Sequence, residues 1–180
     1  MNSLKLILTN IKYFSAVWVF SSLNFIVGTW VLYIPYVKSK LTLDDSQIGF
    51  ALFCVAAGIL TFLPLVPYLS KKIRLGRLTF FAIVLFALAF IFPVLMPNYV
   101  FLCVSLFIVG VFSGITDIAM NALVSEIEKK DEVYIMSAAH GFFSLGGVLG
   151  ATLGSILMPI FNLPVYHMLT ISVFIILINL

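Results

Sequence analysis

Residues 99–124, YVFLCVSLFIVGVFSGITDIAMNALV, form an apolar run that contains one charged side chain, Asp117. A helix needs about 20 apolar residues to cross the hydrocarbon core of a bilayer, so this run is long enough to span it. The chain as a whole is 63% hydrophobic and 9% charged, whereas soluble domains carry about 25% charged residues. The sequence therefore predicts an integral membrane protein that has the lipid bilayer as its partner. The net charge of +3 is small and requires no nucleic-acid partner.

Other apolar runs of similar length lie on both sides of this one. They predict an all-α membrane protein, a single six-helix transmembrane domain over residues 1–180. The predicted spans are 14–37, 48–69, 78–96, 99–124, 137–161 and 165–180. Before the second span, Asp44 or Asp45 is expected to cap the helix, and Gln47 reads as a solvated part of the same cap.

The basic residues are divided unequally between the two sides of such a domain. Six spans place both termini on one side, and that side holds eight of the ten Lys and Arg residues. The other side holds Lys38 and Lys40. Because short cytoplasmic loops are enriched in Lys and Arg, both termini are predicted to be cytoplasmic.

The chain carries a weak internal repeat. A shift of 92 or 93 residues superimposes Gly58 on Gly150, Asn24 on Asp117 and Gly28 on Asn121. The period corresponds to three helices, and three is odd, so the two halves would have opposite orientations in the membrane. This predicts two inverted three-helix repeats, an arrangement found in many transporters.

Asp117 and Asn121 are four residues apart and so share one face of the fourth helix. A charged side chain at the centre of a lipid-facing helix costs about 2.5–3.5 kcal/mol, so Asp117 is expected to face other helices or water. One interpretation is an interhelical hydrogen bond that holds the bundle together. The other is a cavity-lining site for substrate or a proton. Asn24, in the middle of the first span, and His140, near the start of the fifth, are further candidates for this site.

Other polar and sulfur-containing side chains have simpler interpretations. His140 could also be an interfacial residue, and His167 is expected at the outer interface. Cys54 and Cys103 lie in apolar runs and are expected to be packing residues. No set of nucleophile, base and orienting residue is recognisable in the sequence, and neither is a cluster of metal ligands. We therefore expect no enzyme activity, no catalytic residue, no metal and no cofactor.

The fifth span, HGFFSLGGVLGATLGSILMP at residues 140–159, has a glycine at every fourth position: Gly146, Gly150 and Gly154. Small residues at this spacing let two helix backbones approach closely. The stripe predicts a tight contact with a neighbouring helix, along which the fifth helix could also slide or rock.

Three segments carry a resemblance to a known family. They are SGITDIAMNA at 113–122, IMSAAHGFFSLGGVLGA at 135–151 and YIPYVKSKLTLDDSQIGFALF at 33–53. Together with the six spans, they resemble the amino-terminal half of a major facilitator superfamily transporter, in its fucose-permease-like bacterial branch. The resemblance implies a secondary active transporter of the inner membrane that works by alternating access. It also implies a small polar solute, such as a sugar, as substrate. Coupling to protons would be consistent with Asp117.

The basic loop after the second span resembles the family's loop signature only in part. Leu69, Lys72 and Arg77 fit the signature, whereas Pro67 and Lys71 depart from it. The residue that Lys71 replaces is an aspartate that helps to latch the two halves of the family's transporters, so the latch is in doubt here.

The chain is half as long as the family's twelve spans require. It would be a fragment or truncated product, or a six-span half that pairs with a second half or with another copy. The alternatives are a membrane protein that transports nothing, a half-transporter active only as an oligomer, and a homo-oligomeric channel. The polar residues cluster toward one side instead of forming a continuous stripe, which argues against the channel.

Overall fold

A computed structural model describes residues 3–180, and all regular structure in this range is helical. The α-helices are α1 (Ser3–Thr9), α2 (Ile11–Val31), α3 (Ile34–Lys40), α4 (Asp45–Phe62), α5 (Val66–Lys72), α6 (Leu75–Ala89), α7 (Tyr99–Asp131), α8 (Met136–Leu157) and α9 (Pro164–Ile178). Short 3₁₀ turns at Leu63–Leu65 and Met158–Ile160 follow α4 and α8.

Four helical segments of the described chain are long and apolar enough to cross a membrane. They are Ile11–Val31, Asp45–Lys72, Tyr99–Asp131 and Met136–Ile160. The two shorter apolar helices, α6 and α9, have 15 residues each and are about 22 Å long at 1.5 Å per residue. A bilayer core is about 30 Å thick. An all-helical membrane protein is therefore confirmed, while the count of six spans stays a prediction.

The first predicted span differs from the structure because it is broken near its end. α2 stops at Val31, and α3 starts at Ile34 after a two-residue turn. Pro35 occupies the first turn of α3, where its missing N–H costs no hydrogen bond. Inside a continuous helix the same proline would remove a hydrogen bond and clash with the preceding turn. The short helix α1 before α2 has no counterpart in the predicted spans.

The start of α4 shows which of the two aspartates is the cap. The Asp44 carboxylate accepts a hydrogen bond from the Gln47 backbone N–H at 2.8 Å. The Gln47 side chain in turn accepts one from the Asp44 N–H at 3.0 Å. This reciprocal capping box makes Asp44 the N-cap and gives Gln47 a structural role.

The fourth helix is longer than its apolar run. α7 continues beyond residue 124 to Asp131, because the Glu and Lys residues in this segment are good helix formers. Glu132 then ends the helix in a left-handed conformation, with φ 52°. The Glu128 side chain reaches across the connection and accepts hydrogen bonds from the backbone N–H groups of Ile135 (2.6 Å) and Met136 (2.7 Å). It thereby caps the start of α8.

The long helices alternate in direction, so the molecule has two distinct ends. The basic end contains the starts of α2, α6 and α8 and the last turns of α7 and α9. Lys12 in α2 forms an ion pair there with Asp131 in α7. Glu126 and Lys130 of α7 line a cavity at this end together with Gly76 of α6 and Asn179 after α9.

Two pairs of helices cross in backbone contact, α2 with α8 and α4 with α7. In each pair glycines leave no room for a Cβ atom. A Cβ on Gly146 would lie 2.1 Å from the Ser21 carbonyl oxygen, and one on Gly150 would lie 2.1 Å from that of Phe25. Gly154 faces the side chains of Thr29 and Leu32. The glycine stripe of the fifth predicted span is therefore the surface that α8 packs against α2.

The two crossings use corresponding positions. A Cβ added to Gly28 of α2 would lie nearest to the Gly147 carbonyl oxygen of α8, and one added to Gly110 of α7 nearest to that of Val55 in α4. In the same way, a Cβ added to Gly150 of α8 would meet the carbonyl oxygen of Phe25 in α2, and one added to Gly58 of α4 would meet that of Phe107 in α7. These contacts relate α2 to α7 with an offset of 82 residues and α4 to α8 with an offset of 92 residues. The offset between α4 and α8 equals the shift of 92 residues used for the predicted repeat. For α2 the contacts favour a different register, because they match Gly28 with Gly110 and not with Asn121.

The register changes because the connections differ in length. Residues 32–44, including α3, join α2 to α4, whereas only residues 132–135 join α7 to α8. A single shift of the sequence therefore cannot align α2 with α7 and α4 with α8 at the same time. The inverted repeat itself stays a prediction, and the matched contacts of these glycines support it.

Candidate transport site

Asp117 and Asn121 lie together on α7, as their spacing predicts. The Asn121 Nδ2 group donates to the Asp117 carbonyl oxygen at 2.8 Å and to its Oδ1 atom at 3.3 Å. Asp117 is exposed and Asn121 is half-buried. The carboxylate thus points away from the packed interior of the bundle, and its hydrogen-bond partner comes from its own helix.

His140 joins these two residues from α8. It is exposed in the second turn of that helix, and its ring packs edge-on against Phe20 at a centroid distance of 5.5 Å. His140 is also an electrostatic neighbour of the Asp117 carboxyl group. The fold therefore brings an acid, an amide and an imidazole from two helices to one exposed surface. We refer to Asp117, Asn121 and His140 as the polar face.

Asn24 occupies a different position. It is half-buried on α2, and its Nδ2 group donates to the Phe143 carbonyl oxygen of α8 at 3.1 Å. A Cβ on Gly147 would come within 2.4 Å of the same nitrogen. The Asn24 amide thus bridges two tightly packed helices, which corresponds to the interhelical hydrogen bond considered above for the polar residues.

The three residues that fit the loop signature are spread over the basic end. Leu69 packs near Val66 and Ala119 in a small apolar cluster. The Lys72 ammonium lies over the Tyr68 ring, 4.5 Å from its centroid. Arg77 is exposed and lines a surface cavity. Lys72 thus makes a cation–π contact with Tyr68.

His167 is the buried polar residue that the sequence did not reveal. It was expected at the outer interface but is fully buried. Its Nδ1 atom lies 2.8 Å from the Tyr33 hydroxyl, and its ring stacks on Phe161 at 4.8 Å. The Nε2 atom is buried and has no hydrogen-bond partner. Tyr33 is 134 residues away from His167 in the sequence, so hydropathy alone could not predict this burial.

The two cysteines lie where α4 and α7 cross. Cys54 and Cys103 are half-buried free thiols that belong to the packing of the main core. Across residues 3–180, no group of three or more His, Cys, Asp or Glu side chains is arranged to hold a metal ion.

These observations define a class of protein, a multi-pass helical membrane protein with a polar face on an apolar bundle. Residues 13–180 match the Major Facilitator Superfamily. This match covers almost the whole chain, and the chain belongs to that superfamily of transporters.

Individual relatives agree with this assignment. The chain is 30% identical over 125 residues to an uncharacterized MFS-type transporter of Yersinia pestis, a match that covers 69% of this chain and 33% of that protein. It is 30% identical over 149 residues to the uncharacterized transporter y4wD of Sinorhizobium fredii, covering 82% and 39%, respectively. It is 31% identical over 126 residues to the membrane protein MosC of Rhizobium meliloti, covering 69% and 31%. The matched segments make up about a third of the length of these curated relatives.

Proposed function

We propose that the chain is the amino-terminal half of a secondary active transporter for a small polar solute, such as a sugar. It would work by alternating access and be coupled to protons. The single observation that carries this proposal is the polar face, an exposed acid and imidazole beside a half-buried amide on a largely apolar bundle. The fucose-permease-like resemblance of the segments around Asp117 and His140 supports the sugar.

The polar face requires a covering partner in a membrane. Polar groups exposed to hydrocarbon cost several kcal/mol each, so in membrane proteins they are found where they line a water-filled cavity or face other protein segments. A second six-helix half would enclose the polar face in a central cavity. A second copy of this chain could cover the polar face in the same way. The protein would then be a half-transporter that is active as an oligomer. Substrate would then bind between the halves, near the middle of the membrane.

Within this cavity each residue has a distinct role. Asp117 is the proton-binding group, and Asn121 orients its carboxylate through their hydrogen bond. His140 supplies an imidazole as a further polar group on the same surface. Asn24 acts by holding α2 against α8 through its hydrogen bond to Phe143. The protein would lie in the inner membrane, with both termini and the basic end in the cytoplasm, following the distribution of Lys and Arg.

The test is Asp117→Asn in the full-length transporter, reconstituted in vesicles with an imposed pH gradient. The substitution keeps the shape of the side chain but removes its titration. We expect loss of proton-driven accumulation of substrate, while exchange of substrate down its own gradient continues. Glu132→Gln, which removes a carboxylate just beyond the same helix, is the matched control and should accumulate substrate normally.

A normal pH dependence of accumulation in Asp117→Asn would refute the proton role and leave Asp117 as a residue that stabilises helix packing. Absence of transport in the unmodified full-length protein, across a panel of sugars and other small polar solutes, would favour the non-transporting alternative. A monomeric mass in mild detergent with full helicity would argue against pairing of this chain with itself or with a second half.

A further inference from the structure

A cavity of about 670 Å³ opens at the basic end of the bundle, and its lining does not include Asp117, Asn121 or His140. It lies among the first turns of α2 and α6 and the last turns of α7 and α9. Its charged lining comes from Lys12, Glu126 and Lys130, and its aromatic lining includes Trp18 and Phe80. The volume is in the range of small-molecule binding sites, which is about 300–1,000 Å³.

The lining of this cavity is graded along the helices. On α2, Trp18 lies six residues further from the basic end than Lys12, a rise of about 9 Å at 1.5 Å per residue. On α7, Leu123 lies seven residues further in than Lys130, or about 10 Å. Charges therefore surround the mouth, and apolar side chains line the part that extends into the membrane. The cavity fits a ligand with a polar head and an apolar tail.

A second cavity of about 710 Å³ adjoins the first, since Gly76, Leu123 and Glu126 line both. It adds Arg74 and Arg77 to the charged lining. We refer to the two cavities together as the basic groove.

The basic groove has an excess of positive charge. Lys12 is neutralised by its ion pair with Asp131. The remaining charges are Arg74, Arg77 and Lys130 against Glu126. Arg74, Arg77 and Lys130 are exposed, and within the described chain none of them forms an ion pair with a carboxylate. Cations that line a cavity without a protein partner favour an anionic ligand.

We propose that the basic groove binds an anionic phospholipid from the leaflet at this end of the bundle. Arg74, Arg77 and Lys130 hold the phosphate-containing headgroup, and an acyl chain lies along the wall formed by Trp18, Phe80 and Ile83. Basic pockets between transmembrane helices are known to bind anionic headgroups. A free phosphate would satisfy the cations but would leave the apolar wall unoccupied, so the graded lining favours the lipid.

The test is a titration of the purified full-length protein with phosphatidylglycerol, in which native mass spectrometry measures the amount of bound lipid. The variant Arg74→Gln/Arg77→Gln/Lys130→Gln removes the three unpaired cations and should weaken phosphatidylglycerol binding by about a hundredfold, since each basic residue near a membrane surface contributes about 1 kcal/mol. The matched control, Lys71→Gln/Lys72→Gln/Lys129→Gln, removes the same charge at the same end but from outside the groove. It should bind like the unmodified protein.

Equal loss in the two triple variants would overturn the proposal, because binding would then follow total charge and not this site. Two measurements on the unmodified protein test it without any substitution. Phosphatidylglycerol should be preferred over zwitterionic phosphatidylethanolamine, and equal binding of the two lipids would refute the anionic site. Millimolar inorganic phosphate should not displace phosphatidylglycerol, and displacement would assign the groove to a free anion instead. Failure of transport in the full-length protein would leave each of these outcomes unaffected.

Discussion

Gly110 of α7 lies directly against the Val55 backbone of α4: a Cβ atom at Gly110 would come within 2.0 Å of the Val55 carbonyl oxygen. The atoms that it would meet are backbone, so they cannot turn away as a side chain could. The crossing of α4 and α7 therefore depends on the absence of a side chain at this position.

Gly110→Ala should destabilise the protein by about 1–3 kcal/mol, because the two helices must move apart. The thermal unfolding midpoint in detergent, followed by circular dichroism, should fall by about 2–4 °C for each kcal/mol. Gly141→Ala on α8 is the matched control, since its Cβ would meet nothing within 4 Å. Its midpoint should be unchanged or slightly raised, as alanine favours the helix. Equal effects of the two substitutions would contradict the close contact.

The proposed orientation in the membrane predicts opposite accessibility for Ser39 and Lys129, which are both exposed. Each is replaced by cysteine in a background that lacks Cys54 and Cys103. In intact cells an impermeant maleimide should label position 39, and it should label position 129 only after permeabilisation. If both positions react equally in intact cells, the cytoplasmic placement of the basic end is wrong.

The hydrogen bond between Tyr33 and His167 should contribute to stability. Tyr33→Phe leaves the buried Nδ1 atom of His167 without its 2.8 Å partner, at a cost of about 1–3 kcal/mol. The thermal midpoint should fall accordingly. Tyr36→Phe, at an exposed neighbouring tyrosine, removes a hydroxyl without this partner and should leave the midpoint unchanged. The same thermal midpoint for both variants would show that the Tyr33 hydroxyl does not contribute to the stability of the protein.

The Glu128 cap predicts a local effect at the start of α8. In Glu128→Ala the N–H groups of Ile135 and Met136 lose their acceptor. Hydrogen bonds to charged groups contribute about 1.5–3 kcal/mol, so amide exchange at these two positions should accelerate by about tenfold or more. Lys129→Ala, the next residue on the helix, should leave the exchange unchanged. Hydrogen–deuterium exchange with mass spectrometry measures both, and unaltered protection in Glu128→Ala would exclude the cap.

Local features of this chain were predictable because neighbouring residues determine them. Hydropathy alone indicated a membrane protein with long helices, since few charges cannot cover a soluble globule. The sequence around Asp44 indicated a helix start, and the four-residue spacing placed Asp117 and Asn121 on one face. The glycine spacing in 140–159 predicted a tight helix contact, although it could not name α2 as the partner.

The remaining features depend on residues that are distant in sequence and meet only in the folded chain. Burial of His167 with a hydrogen-bond partner requires Tyr33, 134 residues earlier in the sequence, to pack against it. The Asn24 side chain is engaged because Phe143 offers a carbonyl oxygen at 3.1 Å. The match of Gly28 with Gly110 appears only in backbone contacts, since connections of unequal length hide it from any single shift of the sequence. Composition and periodicity thus determined where the long apolar helices lie, although not the short helix α1 or the break between α2 and α3. Only the packing of one helix against another decided which polar groups are buried, which are bridged and which remain exposed.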